Sequence, residues 1–209
     1  MVDMDGLTRA IEAGDRATAV ALTQAAIDEG IAAQTILDAM TAAMTVVGGR
    51  FQRAEIFVPE MLIAARAMKE SMAFLEPLLA GAGIRPEATA VIGTVKGDLH
   101  DIGKNLVGMM WKGANIEVID LGTNVPPERF VAAAKEHNAH LIGLSALLTT
   151  TMVGMRDVVD AIRAAGLGDV KILVGGAPLT AEFAREIGAD GYAPDAGSAV
   201  DLAKSAIAR

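Results

Sequence analysis

The spacing of apolar residues changes character once along this chain, and that change restricts the folds open to it. From Met4 to about Leu79 apolar side chains recur every three or four residues: Leu7 and Ile11, then Val20, Leu22 and Ile27, then Ile31, Ile36, Leu37, Met40, Met44 and Val47. That period belongs to helices buried along one face. Gly14-Asp15 and Glu29-Gly30 punctuate it, and a longer helix is expected over 32–53. Val58-Pro59-Glu60 opens another, with proline suited to a first turn, running through Met61, Leu62, Ala65, Met68, Met72 and Leu75. Such segments cannot bury their apolar faces singly, so a bundle of about four helices is expected. After 81–86 (Gly-Ala-Gly-Ile-Arg-Pro) short apolar runs take over at 88–95, 116–121, 140–145, 170–174 and, weakly, 190–192. They alternate with amphipathic stretches at 102–112, 127–137, 151–165, 180–187 and 197–208. Successive β-α units predict a parallel, doubly wound sheet. The expected fold is therefore α/β: a helical bundle over 1–84, then a five-stranded Rossmann- or flavodoxin-like parallel sheet over 88–209.

Composition narrows the functions that such a chain can have. Hydrophobic residues make up 52% and charged residues 21% of 209, which is the balance of a folded globular protein. Aromatics are only 3%, so the core must be built from small side chains and methionine. No apolar run approaches the roughly 20 residues of a membrane span, and the first residues lack the basic-then-apolar order of a secretory signal. A cytoplasmic protein is expected. The absence of cysteine rules out disulfides, iron–sulfur clusters and thiolate zinc sites. A net charge of -8 with no basic stripe argues against nucleic-acid binding.

In a parallel sheet all strand C-termini emerge on one side, where open α/β sheets bind ligands. The first exit carries Gly97-Asp98-Leu99-His100-Asp101-Ile102-Gly103. A histidine can bind a metal through one ring nitrogen while the other donates to a carboxylate that fixes the tautomer, and Asp98 stands two residues before His100. The third exit carries Ser145, Leu147 and Thr149; the fourth carries Gly175-Gly176, which removes side chains where something bulky approaches backbone. Glycine- or hydroxyl-marked loops beside one histidine suggest a large flat or elongated ligand rather than a bare ion. Asp101 suits capping of the following helix, and Gly103 suits either ligand approach or close helix–sheet packing. Asp120-Leu121-Gly122 reads as ordinary strand-exit chemistry, with a possible ligand contact. His137 and His140, at a helix-to-strand joint on the opposite edge, read as structural.

Asp98-x-His100-x-x-Gly103, then Ser145-x-Leu147, then Gly175-Gly176, in that order, resembles the cobalamin-binding domain. The helical segment ahead of it, with Val58-Pro59-Glu60-Met61 opening a methionine-rich helix, resembles the cap module of methionine synthase and of small corrinoid methyl carriers. The resemblance implies that His100 is the lower axial cobalt ligand and that Asp98 accepts a hydrogen bond from its other nitrogen. Thr151 stands where methionine synthase extends this relay with a serine. Gly103, Ser145 and Thr149 would line a slot for the cofactor's displaced nucleotide tail, and Gly175-Gly176 would pass near it. The methionines Met40, Met44, Met61, Met68 and Met72 read mostly as bundle core. Phe51, Phe57 and Met61 are the better candidates to cover the upper corrin face.

The function so implied is a methyl carrier that is not catalytic alone. It would cycle between cob(I)alamin and methylcobalamin, loaded by a substrate-specific methyltransferase. A second methyltransferase, to tetrahydrofolate or coenzyme M, would unload it, and a reductive activator would service it. The alternatives are a small subunit of an adenosylcobalamin mutase, which has no obvious need for the helical half, and a B12-dependent sensor, which would need a further signalling domain.

Overall fold

A computed structural model describes residues 2–208. The chain divides into two compact units, one comprising the residues up to Pro86 with Gly113–Asn115, the other the remainder from Glu87 onward. The first unit holds four helices: α1 (Met4–Glu12), α2 (Arg16–Asp28), α3 (Ala33–Gln52) and α4 (Val58–Gly81). Aspartates start the first two, Asp3 accepting from the Gly6 N–H at 2.7 Å and Asp15 from the Thr18 N–H at 3.1 Å. Each satisfies a donor that has no partner within the helix. At α4 the Glu60 carboxylate reaches back to the Phe57 N–H at 3.1 Å, and Pro59 occupies the first turn, where its missing N–H costs nothing. Of the residues whose spacing predicted the bundle, Leu7, Ile11, Ile36, Leu37, Met40, Met61 and Leu75 are buried, whereas Val20, Leu22, Ile27, Ile31 and Met72 are half-buried and Leu62 is exposed; α2 buries the smaller Ala19, Thr23 and Ala26 instead.

The second unit runs β1 (Ala88–Thr94), α5 (Ile102–Gly113), β2 (Ile116–Asp120), α6 (Pro127–Glu136), β3 (Leu141–Ser145), α7 (Thr149–Met152), α8 (Gly154–Ala164), β4 (Lys171–Gly175), α9 (Ala181–Glu186), β5 (Gly191–Ala193) and α10 (Ala196–Ile207). All neighbouring strands pair in parallel, in the order β2-β1-β3-β4-β5. One face packs Val91, Ile142 and Ile172 against Phe130 of α6, Val158 and Ile162 of α8 and Ala184 of α9. On the other face Trp111 of α5 lies over β3, its indole N–H donating to the Ala199 carbonyl of α10 at 3.0 Å. Each large ring needs a glycine in the strand beneath it. A Cβ at Gly93 would come within 2.8 Å of Phe130, and one at Gly143 within 2.8 Å of Trp111. These glycines are therefore explained by packing.

Register sets the three site-bearing strand ends level. Thr94 pairs with Ser145, and Ser145 with Gly175. Strands β1 and β3 are adjacent, and the chain leaves them toward opposite faces, which creates the crevice of this topology. One expectation needs correction: the helix expected at 151–165 is two helices, α7 and α8, and it begins earlier. The Leu148 carbonyl accepts from the Thr151 and Met152 N–H groups, at 3.1 and 3.0 Å, and so opens a turn before the predicted start. Gly154, a poor helix former, sits at the break that follows Val153.

Candidate functional site

The loop leaving β1 is organised around one carboxylate. Gly97 turns it at φ +85, a conformation that a side chain would strain. The turn sends Asp98 inward, where it is fully buried. Its Oδ1 accepts from the His100 N–H at 3.0 Å and the His100 Nδ1 at 2.7 Å. Its Oδ2 accepts from the Leu147 N–H at 2.8 Å and the Thr151 hydroxyl at 2.6 Å. Burial alone would raise the Asp98 pKa. The hydrogen bonds from Thr151, the two amides and the His100 ring outweigh it and hold the carboxyl well below the usual carboxylate range. Asp98 is thus a carboxylate at any ordinary pH, and the proton on the His100–Asp98 contact belongs to Nδ1.

In the neutral ring that assignment leaves Nε2 as the nitrogen with the free lone pair. The imidazole side chain is 51% exposed, and Nε2 has no partner among the described residues. The backbone on both sides of the ring is also held, because the His100 carbonyl accepts from the buried Thr94 hydroxyl at 2.8 Å. A neutral imidazole fixed by a carboxylate and presenting a lone pair outward is the form that binds a metal. Among the described residues no group of three or more histidine or carboxylate side chains could hold a metal ion. A lone imidazole therefore suits a metal whose remaining positions a macrocycle fills. Leu99 (73% exposed) and Ile102 (77%) flank it in the chain, and Leu147 and Leu148, beside the amide that binds Asp98, are exposed after β3. This rim suits a broad apolar ligand face.

The other expected residues divide. Thr151 reaches Asp98, as the resemblance implied. Leu147 does so through its backbone amide, while its side chain joins the exposed rim. Ser145 is the last, half-buried residue of β3, and Thr149 is exposed at the start of α7; no hydrogen bond ties either side chain to Asp98 or His100. Gly103 is exposed on the first turn of α5, and a Cβ there would meet nothing, so close helix–sheet packing does not account for it. Gly175 and Gly176 differ in this respect. A Cβ at Gly175 would stand 3.2 Å from the Ala193 carbonyl oxygen, and one at Gly176, at φ +140, only 1.8 Å from that of Ala146. The chain's own backbone requires glycine at Gly176 and crowds Gly175, whatever else approaches them. Asp101 stands immediately before α5, as expected of a residue that starts the helix: its carbonyl accepts from the Asn105 N–H at 2.7 Å and its carboxylate from the Asn105 side chain at 3.0 Å. In the helical unit Met61 is buried and Phe57 is 64% exposed, so Phe57 alone of these two offers a free apolar surface. His140 accepts from the Thr89 N–H at 3.1 Å, at the N-terminal end of β1, a structural role as expected.

Two features escaped the sequence reading. Lys104, buried in the first turn of α5, donates to both Asp120 oxygens and to the Asn105 side chain, each at 2.6 Å. A cation at a helix N-terminus opposes the helix dipole; the only sequence hint was an aspartate ending the neighbouring strand. This pair and the Gly122 N–H, at 2.8 Å from Oδ1, tie Asp120 to its neighbours within the protein. Asn124, in the turn after β2, holds the histidine loop by two hydrogen bonds, Gly97 N–H to Asn124 Oδ1 at 2.8 Å and Asn124 N–H to the Asp98 carbonyl at 2.9 Å.

Fold and site together define a cofactor-binding α/β domain of flavodoxin-like order, with a single metal-competent imidazole at its switch point and a helical module ahead of it. Comparison with known proteins makes this specific. Residues 88–201 match a B12 binding domain model, and residues 4–76 match a second B12 binding domain model. Over 211 aligned residues the chain is 41% identical to a corrinoid protein of Desulfitobacterium hafniense (strain Y51), covering 99% of this chain and 98% of that one. It is 42% identical to a dimethylamine corrinoid protein of Methanosarcina barkeri, covering 97% and 96%. Among solved structures, a cobalamin-binding protein from Desulfitobacterium hafniense DCB-2 superposes with a TM-score of 0.82 at 32% identity, covering 99% of both chains. A chain of the methanol:cobalamin methyltransferase complex of Methanosarcina barkeri superposes at 0.87 and 30% identity, covering 98% of this chain and 79% of that one. The chain belongs to the B12-binding family of corrinoid proteins, and its cofactor is a corrinoid.

Proposed function

We propose that this protein carries a methyl group on a corrinoid cobalt from a substrate-specific methyltransferase to a second methyltransferase, with His100 Nε2 as the nitrogen that would hold the cobalt. The observation that carries this reading is the Thr151–Asp98–His100 chain of hydrogen bonds, which ends in a free Nε2 beside the apolar rim. When bound, the cobalt supplies a strongly nucleophilic metal centre that accepts and gives up a methyl group. The protein's own part is to hold and orient. Asp98 keeps the proton on Nδ1 and makes Nε2 a better donor; Thr151 and the Leu147 amide keep Asp98 ionised and immobile. Leu99, Ile102, Leu147 and Leu148 support an apolar ligand face and keep water from it, while Gly103 leaves the surface beside them clear for the cofactor's tail.

Close relatives named dimethylamine corrinoid proteins make a methylamine the first donor to test, alongside methanol. Tetrahydrofolate and coenzyme M are the candidate acceptors of the second methyltransferase, and a reductive activator completes the proposed partner set. No described helix is long and apolar enough to cross a membrane, and we place the protein in the cytoplasm with these partners. The test is reconstitution with hydroxocobalamin, gel filtration, and incubation of the reduced protein with radiolabelled dimethylamine and the methyltransferase encoded beside this gene. Retention of corrin absorbance and label with the protein is expected. Loss of the corrin on the column overturns cofactor binding; retained corrin without label, across dimethylamine, monomethylamine and methanol, overturns the carrier role.

A further inference from the structure

The loop that carries Asp98 and His100 is braced from outside, by the turn after β2. The Thr94 N–H donates to the Gly122 carbonyl at 2.9 Å, and the Val125 N–H to the Thr94 carbonyl at 2.9 Å. Between these two contacts Asn124 takes the left-handed conformation, φ 54, which asparagine tolerates better than most residues. That conformation turns its side chain and its own N–H onto the same segment. The side-chain oxygen accepts from the Gly97 N–H, and the Asn124 N–H donates to the Asp98 carbonyl. Both sides of the Gly97–Asp98 peptide are thereby tied to one residue. The far end of the turn is anchored as well, through Asp120, which holds the Gly122 N–H and is itself held by the buried Lys104.

We propose that Asn124 is a positioning residue for His100: by clamping Gly97 and Asp98 it fixes the Asp98 carboxylate, and so the imidazole, in the ligating geometry before the corrinoid arrives. The inference rests on the reading of His100 as the cobalt ligand and adds a residue that does not touch the cofactor. Its physical basis is preorganisation. A glycine at φ +85 followed by a buried carboxylate is a segment with many alternatives in solution, and an exposed loop this close to the ligand would otherwise lose that freedom on binding. Asn124 is exposed, so its role is local, and Lys104–Asp120 supplies the rigid support on which the clamp bears.

The test uses the full chain reconstituted with hydroxocobalamin, reduced to the Co(II) form, with the histidines nitrogen-15 labelled. Its readout is the electron paramagnetic resonance nitrogen splitting, which reports the fraction of protein with histidine on cobalt. Asn124→Gly keeps the backbone conformation and removes the acceptor; Asn124→Asp keeps an acceptor in the same place. We expect Asn124→Gly to lower the ratio of histidine-on to histidine-off protein about fivefold, the scale of one lost hydrogen bond. Asn124→Asp should restore it, and faster hydrogen exchange at the Gly97 amide of the cofactor-free protein should accompany the loss in Asn124→Gly. Wild-type splitting in Asn124→Gly, or an equal loss in Asn124→Asp, overturns the proposal. Absence of labelled splitting in the wild type itself instead overturns the assignment of His100, so the two failures are distinct.

Discussion

The buried polar residues of the helical unit are hydroxyls, Thr23 and Ser71, whereas those of the α/β unit include two charges, Asp98 and Lys104. In the bundle Thr23 bonds within its own helix, to the Ala19 carbonyl at 2.8 Å, and the Ser71 hydroxyl has no partner among the described residues. The charges of the bundle pair at its surface, as in Arg66–Glu70 and Arg53–Glu55. In the α/β unit the desolvated carboxylate is matched by four donors and the desolvated ammonium by three acceptor atoms. The bundle is therefore held by apolar packing, which degrades gradually. The site is held by satisfied buried charges, which fail sharply when one partner is removed.

Replacing Asp98 should break that contrast most severely. Asp98→Ala leaves two amides, a hydroxyl and the imidazole N–H without their acceptor; we expect a loss of about 3–5 kcal/mol in urea denaturation of the cofactor-free protein and loss of the histidine-derived nitrogen splitting. The penalty should depend on pH with a definite sign. The folded-state pKa of Asp98 is depressed, so its contribution is complete above the unfolded carboxylate range and erodes as pH falls from about 4 toward the lower folded value. Wild type and Asp98→Ala should converge between about pH 4 and about pH 2; parallel curves would show that the carboxylate is not selectively stabilised. Next in size is Met40→Ala, in the buried bundle interior, expected to cost about 3 kcal/mol while leaving the splitting of the bound corrin unchanged. A changed splitting would mean that the two units do not divide the labour as described.

Thr151→Val should cost about 1–2 kcal/mol, since one charge-assisted hydrogen bond is lost, and Thr151→Ser should recover most of it. A loss in Thr151→Ser with none in Thr151→Val would assign the residue's contribution to its methyl group. The smallest effect is expected on the bundle surface. Arg66→Ala, which removes an exposed pair with Glu70, should leave the melting temperature within experimental error, and a clear drop there would contradict the view that the bundle relies on its interior.

Much of the fold was legible because its signal is periodic. The change from a three- and four-residue spacing to short apolar runs located the bundle and every strand to within a residue or two, and five β-α units left little topological choice. Even the short β5 was visible. The helix break at Val153-Gly154 was not, because it depends on where the chain leaving β3 turns, and the Leu148 carbonyl settles that in three dimensions. At the site, Asp98 and His100 were legible through spacing and Thr151 through family likeness. Lys104 and Asn124 carry no local signal: a lysine on a helix and an asparagine in a turn ordinarily face water. Gly175 and Gly176 were legible as necessary, although the neighbour that crowds them proves to be the chain's own backbone.

By itself, then, the amino-acid order determined the two-part architecture, the strand sequence and the pairing of Asp98 with His100, because helical and extended periodicities and a two-residue spacing are local properties. Only the tertiary structure decided that Asp98 is buried and ionised, that the amide of Leu147 and the hydroxyl of Thr151 converge on it across two strands, and that Nε2 is the nitrogen left open. Those facts depend on how far one strand end stands from the next, a separation that no stretch of sequence encodes locally and that the parallel register alone supplies.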